Sequence, residues 1–128
     1  MQWYAASVVV YTEVIDEPSQ NTFLVHENVY LVQAVDDDDA WSKAEELGRQ
    51  NAVPDQSLRM DGRPARDVFG GVRKVIEMAP NVWTGKNRSK VTELEHGVEA
   101  TYNVFVVEGR ERLTALIGGE SVELSYRE

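Results

Sequence analysis

The sequence predicts an α+β fold: an antiparallel sheet of five to six strands with one main helix packed on one face, a ferredoxin-like variant. Three observations predict it. Apolar residues hold every even position from Trp3 to Tyr11, a β-rich run spans Thr22 to Ala34, and apolar and polar residues alternate over Val98 to Val106, as half-buried strands require. A single tract, DDDDAWSKAEELGRQ, repeats its apolar residues at helical spacing. Glycines at 109, 118 and 119 cut the C-terminal part into short runs, as in an antiparallel meander. One helix set after two strands and followed by an antiparallel run leaves a sheet with one covered face.

The first strand commits its even positions, Tyr4, Ala6, Val8 and Val10, to a core face, while the odd positions mix Ser7 with Trp3 and Tyr11. TEVIDEPSQN breaks this pattern and predicts an exposed connection. The second run is interrupted by His26, Glu27 and Asn28, where a bulge or bend is expected. The aspartate tract opens the helix: Asp36 or Asp37 caps it, carboxylates sit at its positive end, Ala40, Ala44 and Leu47 form its apolar stripe, and Arg49 lies near its close. Four consecutive aspartates do not make a calcium loop, which alternates its ligands and needs a turn glycine and a distant glutamate. Residues 50 to 67 read as loop and Val72 to Met78 as strand. The segment from Pro80 to His96 is polar, with Trp83 its one buried-looking residue. Glu111 to Ile117 and Glu120 to Tyr126 read as two further strands, a C-terminal hairpin over 108–128.

At 128 residues the chain is expected to form a single domain, 1–128, able to bury its core without disulfides. The absence of cysteine excludes thiolate catalysis and cysteine zinc sites. The longest apolar stretch falls short of the roughly 20 residues that span a bilayer, and no secretory signal pattern is present. A cytoplasmic location without membrane contact is the expectation. The net charge of −9 disfavours nucleic acid, whose binding rests on cationic contacts that release counterions. The charge is unevenly spread, since residues 59–90 hold eight basic side chains against three acids.

The spacing of WYAASVVV, ENVYLVQAVDDDDAWSKA, VFGGVRKV and GVEATYNVFVV resembles the DUF4288 family of small bacterial domains of uncharacterised function. The positions that carry the resemblance are Trp3, Tyr4, Glu27, Ala34, Ala40, Ala44, Gly71, Val72, Gly97, Glu99 and Tyr102. It covers roughly residues 1–107. The length of the 80–96 link and the run after Gly109 depart from the family pattern. The resemblance implies the fold and supplies no catalytic residues.

Candidate sites follow from the remaining chemistry. RDVFGGVRKVIEM places two glycines before Arg73 and Lys74, and with Arg66 these cations form a candidate anion patch. A phosphate loop, however, sets its glycines between a strand and a helix. Here they precede a strand, where a positive φ or a close approach beneath Trp3 or Trp41 accounts for them. His26 and His96 each adjoin a carboxylate, yet neighbours on a strand point to opposite faces, so no metal site or cofactor is expected. The favoured reading is a small acidic, non-enzymatic binding protein of immunity or antitoxin type that covers a basic protein partner. Asp37, Asp38, Glu45 and Glu46 would supply its charge, and Trp3 and Tyr11 an apolar sheet face that also suits a homodimer. The alternative is a small enzyme with an acid/base pocket built from Glu99, Glu27 and His26.

Overall fold

The structure, a computed structural model, describes residues 1–52, 58–78 and 95–126. In chain order it contains β1 (Gln2–Val14), β2 (Thr22–Ala34), α1 (Asp37–Asn51), β3 (Arg59–Met60), β4 (Arg63–Glu77), β5 (Glu99–Glu108), α2 (Arg110–Ile117) and β6 (Ser125–Tyr126). The described strands form one antiparallel sheet in the order β3-β4-β1-β2-β5-β6. The α+β class is as expected, with an antiparallel sheet and one main helix, α1, lying against it.

Strand pairing explains the core. In the β1–β2 ladder Tyr4 faces Val32, Ala6 faces Tyr30, and Val10 faces His26, so the even residues of both strands share one face. Tyr4, Ala6, Val8, Val10, Tyr30, Val32 and Ala34 meet the small residues Ala40 and Ala44 of α1 there. Small side chains let the helix lie close. Gly48 takes this furthest, since an added Cβ would stand 2.4 Å from the Phe69 ring and 2.8 Å from Val8. The connection from β1 to β2 is fixed by Gln20, whose buried amide accepts from Val14 N at 2.8 Å and donates to the carbonyls of Thr12 and Thr22 at 3.0 Å each.

The other face carries the main departure from expectation. Glu111 to Ile117, expected as a strand of a C-terminal hairpin, lies in the helix α2, and of Glu120 to Tyr126, expected as its partner, the two residues of β6 are extended. Leu113, Leu116 and Ile117 stand at i, i+3 and i+4, a helical repeat that meander logic overrode. Tertiary context decides the matter: Leu113 and Leu116 close a second core over Val9, Phe23, Val25, Phe105 and Val107. Both faces of the sheet are therefore covered in part, α1 on one and α2 on the other.

Three smaller corrections concern the strands. Residues 59–67, expected as loop, already belong to β3 and β4, joined at a turn where Asp61 and Gly62 take positive φ of 53° and 77°. The bulge expected at His26–Asn28 is absent, because the β1–β2 register runs unbroken through it. Gly70 and Gly71 lie inside β4, not before it, and the ladder to β1 slips on either side of this stretch. Their close neighbour is Ile117 of α2 rather than Trp3 or Trp41. Trp83 lies outside the described residues, as does all of the expected polar excursion except its end at Glu95 and His96.

Candidate functional site

The N-terminus of α1 gathers the most charge. After β2 ends at Ala34, Asp36 caps the helix by accepting from Asp39 N at 2.8 Å. Asp39 answers by accepting from Val35 N at 3.0 Å and from Lys43 Nζ at 3.1 Å. The exchange resembles a capping box, with aspartate in the place of glutamate and with the returning bond made to the N–H of Val35, just before the cap, instead of to that of the cap itself. The Val35 N–H, and after it the Lys43 ammonium, hold the Asp39 carboxyl below the usual carboxylate range. Lys43 also donates to Gln33 O at 3.0 Å, and Gln33 N donates to His96 Nδ1 at 2.9 Å, which ties the 95–98 turn to the end of β2. Asp36 and Asp39 are thus structural. Asp36→Ala is expected to lower stability by about 1 kcal/mol, measured by urea unfolding; an unchanged midpoint would show that another group satisfies the Asp39 N–H.

The carboxylates that remain point to solvent. The Tyr4 phenol, close to Asp37, has its pKa raised by burial first and then by the charges of Asp37, Glu77 and Asp36. Glu77 reaches this corner because β4 pairs it with Tyr4 across the ladder. Gln2, Tyr4, Val35, Asp36, Asp37, Asp38 and Glu77 line an open depression of about 550 Å3. No hydrogen-bond or ion-pair partner is found for Asp38 or Glu77 among the described residues.

Beside the depression stands Trp41, 41% exposed on the flank of α1. Helical spacing puts Asp37 and Asp38 one turn before it and Glu45 one turn after it on the same side. An exposed indole framed by carboxylates is chemically suited to a lysine or arginine, which meets the ring face as a cation and the acids as partners. Val35, 63% exposed, extends the apolar part. Sequence reasoning found the acids and passed over Trp41; its place four residues after Asp37 and four before Glu45 was the signal.

The sequence-predicted residues divide among separate places. Glu45 is engaged by Arg49 at 3.1 Å and Glu46 by Gln50 at 3.2 Å, both further along α1. Trp3 and Tyr11 lie on the other sheet face, Trp3 half-buried and Tyr11 packed edge-on against Phe23 in the core under α2. The cations do not form one patch. Arg66 pairs with Glu13 at 2.7 Å, whereas Arg73 donates to the carbonyls of Leu116 and Glu120 at the end of α2 and stands 3.8 Å from Glu27. Lys74 is exposed. Arg73 acts as a pin, placing positive charge where a helix terminus is negative.

The acid/base trio is also dispersed. His26 faces Val10 on the α1 side, so its neighbour Glu27 points to the α2 side, where it accepts from Asn103 at 3.2 Å. Glu99 is exposed opposite Tyr30, whose phenol is pushed up by burial first and by Glu99 second. Among the described residues no group of three histidine, aspartate or glutamate side chains is placed to hold a metal ion. No described helix is long and apolar enough to cross a membrane.

Comparison with known proteins adds the family. No curated protein and no solved structure matches the chain. A family described as "Domain of unknown function (DUF4288)" matches residues 3–87, from the start of β1 past the end of β4. The match takes in β1, β2, α1 and the glycines of β4, and stops short of β5, α2 and β6. On that match, which spans well over half of its length, the chain belongs to the DUF4288 family.

Proposed function

We propose that this is a non-enzymatic binding protein of the immunity or antitoxin type, whose acidic α1 corner covers a basic surface of a protein partner. The observation that carries the reading is Trp41 exposed between Asp37, Asp38 and Glu45, next to the Tyr4 depression rimmed by Glu77. A buried aromatic anchor with charged neighbours is how protein interfaces concentrate their affinity. The net charge of −9 steers a cationic partner in and repels nucleic acid. Trp3, Tyr11 and the Glu99, Glu27 and His26 trio have no part in this surface.

The test uses the partner that co-purifies with the full chain. Its contact surface is expected to be basic, and its association rate to fall steeply between low and physiological salt. Substituting Asp37 and Asp38 with Asn and Glu45 and Glu46 with Gln should slow association several-fold with little effect on dissociation. Trp41→Ala should do the reverse, speeding dissociation while leaving association nearly unchanged. An acidic partner, or association indifferent to salt and to the four substitutions, would leave α1 with solvation and capping alone.

A further inference from the structure

α1 ends over the middle of β1, where its Gly48 lies against Val8 and Phe69. Further along the same sheet face a cleft of about 380 Å3 opens between two turns. Its floor is Val14 of β1, Thr22 and Leu24 of β2 and Val106 of β5, even-numbered residues that alternation brings to one side, with Leu24 opposite Val106 in the ladder. Met60, Asp61 and Arg63 wall it from the β3–β4 turn, and Glu17 and Gln20 from the β1–β2 connection. Val14 is buried. Leu24, Val106 and Met60 are only half-buried, although they line a concavity.

The walls are held in place by their own bonds. Arg63 donates to Asp16 at 2.8 Å and to Glu17 at 3.2 Å, and Ile15 N donates to Pro64 O at 3.0 Å, so the two turns are tied to each other. Gln20 spends both amide hydrogens on the carbonyls of Thr12 and Thr22 and its oxygen on Val14 N. What remains for a ligand is an apolar floor and negative charge. The Arg63 guanidinium already lies between two carboxylates, whereas Asp61 makes no hydrogen bond or ion pair among the described residues. Arg59 precedes Met60 on β3, so alternation turns it away from the cleft, and it does not line it.

We propose that this cleft binds a small organic amine, its apolar body on Leu24, Val106 and Met60 and its ammonium group at Asp61 and Glu17. The volume lies at the lower end of the roughly 300–1,000 Å3 of small-molecule sites, which set an apolar concavity beneath a few polar groups. The Met60 thioether favours an aromatic body. Charge selects among ligands of that shape. An anion meets Asp16, Glu17 and Asp61 with no uncommitted cation in the lining, and a neutral ligand forgoes the charge-assisted bond to a carboxylate. The cleft lies by Val14, at the opposite end of β1 from Tyr4 and the acidic corner of α1, so the two surfaces can be occupied independently.

Methyl NMR of the full chain titrated with benzylammonium chloride is expected to show saturable shifts at Val14, Leu24, Met60 and Val106. Benzyl alcohol, the same body without the charge, should bind about tenfold more weakly, and benzoate should not bind. Asp61→Asn should lower the affinity for benzylammonium about tenfold while leaving that for benzyl alcohol unchanged. Asparagine accepts the positive φ of 53° at this exposed turn, so the variant keeps the fold. Val106→Trp should fill the floor and abolish binding of both, with the Val32 methyls under α1 unmoved. Shifts that do not saturate, shifts centred on Val35 at the α1 corner, benzoate or benzyl alcohol bound as tightly as the amine, or an Asp61→Asn variant equal to the parent would overturn the proposal. So would binding of Nα-acetyl-lysine methylamide without binding of benzylammonium, which would assign the cleft to a side chain of a protein partner.

Discussion

Phe23→Ala is expected to lower the unfolding free energy by about 3–5 kcal/mol, the largest effect of any single truncation on the α2 side of the sheet. Phe23 is fully buried and is the largest side chain to be so among the described residues. Tyr11 meets its ring edge-on, with centroids 5.8 Å apart, and the Arg110 guanidinium lies 5.2 Å from its centroid. Leu113 and Leu116 of α2 belong to the same cluster. An eight-residue helix is too short to persist on its own in water, and Gly109, its cap, makes no side-chain hydrogen bond to it. Its stability therefore comes from the apolar floor that Phe23 provides. Urea unfolding followed by far-UV circular dichroism measures the loss, and amide exchange shows where it falls. The amides of 110–117 should lose protection before those of α1. A loss below about 1 kcal/mol, or equal loosening of both helices, would mean that α2 is held by Arg73 and the backbone rather than by this core.

How far the fold was legible depends on which face of the sheet is considered. The α1 side was readable because its code is local: Tyr4, Ala6, Val8 and Val10 keep every even position of the strand apolar, and Asp36 with Asp39 announces a helix start within four residues. The α2 side was not, because Arg110 to Ile117 is short and contains the β-branched Thr114 and Ile117, so its local preference is weak. What makes it helical is a floor assembled from β5 together with β1 and β2, strands that lie far back in the sequence from α2. The long β4 was missed at its start for a similar reason: Pro64 and the Asp61-Gly62 turn look like loop, and only pairing with β1 makes the segment extended. The candidate site was legible as charge and illegible as shape. That Asp37 and Asp38 share a flank with Trp41 follows from helical spacing; that Glu77 joins them depends on a register no local pattern encodes.

Gly71→Val is expected to destabilise the protein by about 1–3 kcal/mol from backbone strain and by about 1–3 kcal/mol more from overpacking. The two causes are separable. Gly71 sits at φ +149°, where a β-branched residue is strained whatever the space around it, and a Cβ there would lie 2.9 Å from Ile117 Cγ2. Ile117→Ala removes the obstacle while leaving the dihedral as it is. In a double-mutant cycle the Gly71→Val cost should therefore shrink in the Ile117→Ala background without vanishing, the remainder being the strain. Gly70 belongs to the same notch: a Cβ added to it would lie 2.9 Å from Ile117 Cδ1 and 3.2 Å from Val9 O. A pair of glycines thus lets the end of α2 seat on β4, and Arg73, two residues on, binds the carbonyl groups at that helix end. On this account the glycines serve packing, and calorimetric titration with inorganic phosphate should give the same result for Gly71→Val as for the parent. If the variant matched the parent in urea but lost an affinity for phosphate that the parent possessed, the glycines would be serving an anion, and the notch under α2 would be incidental.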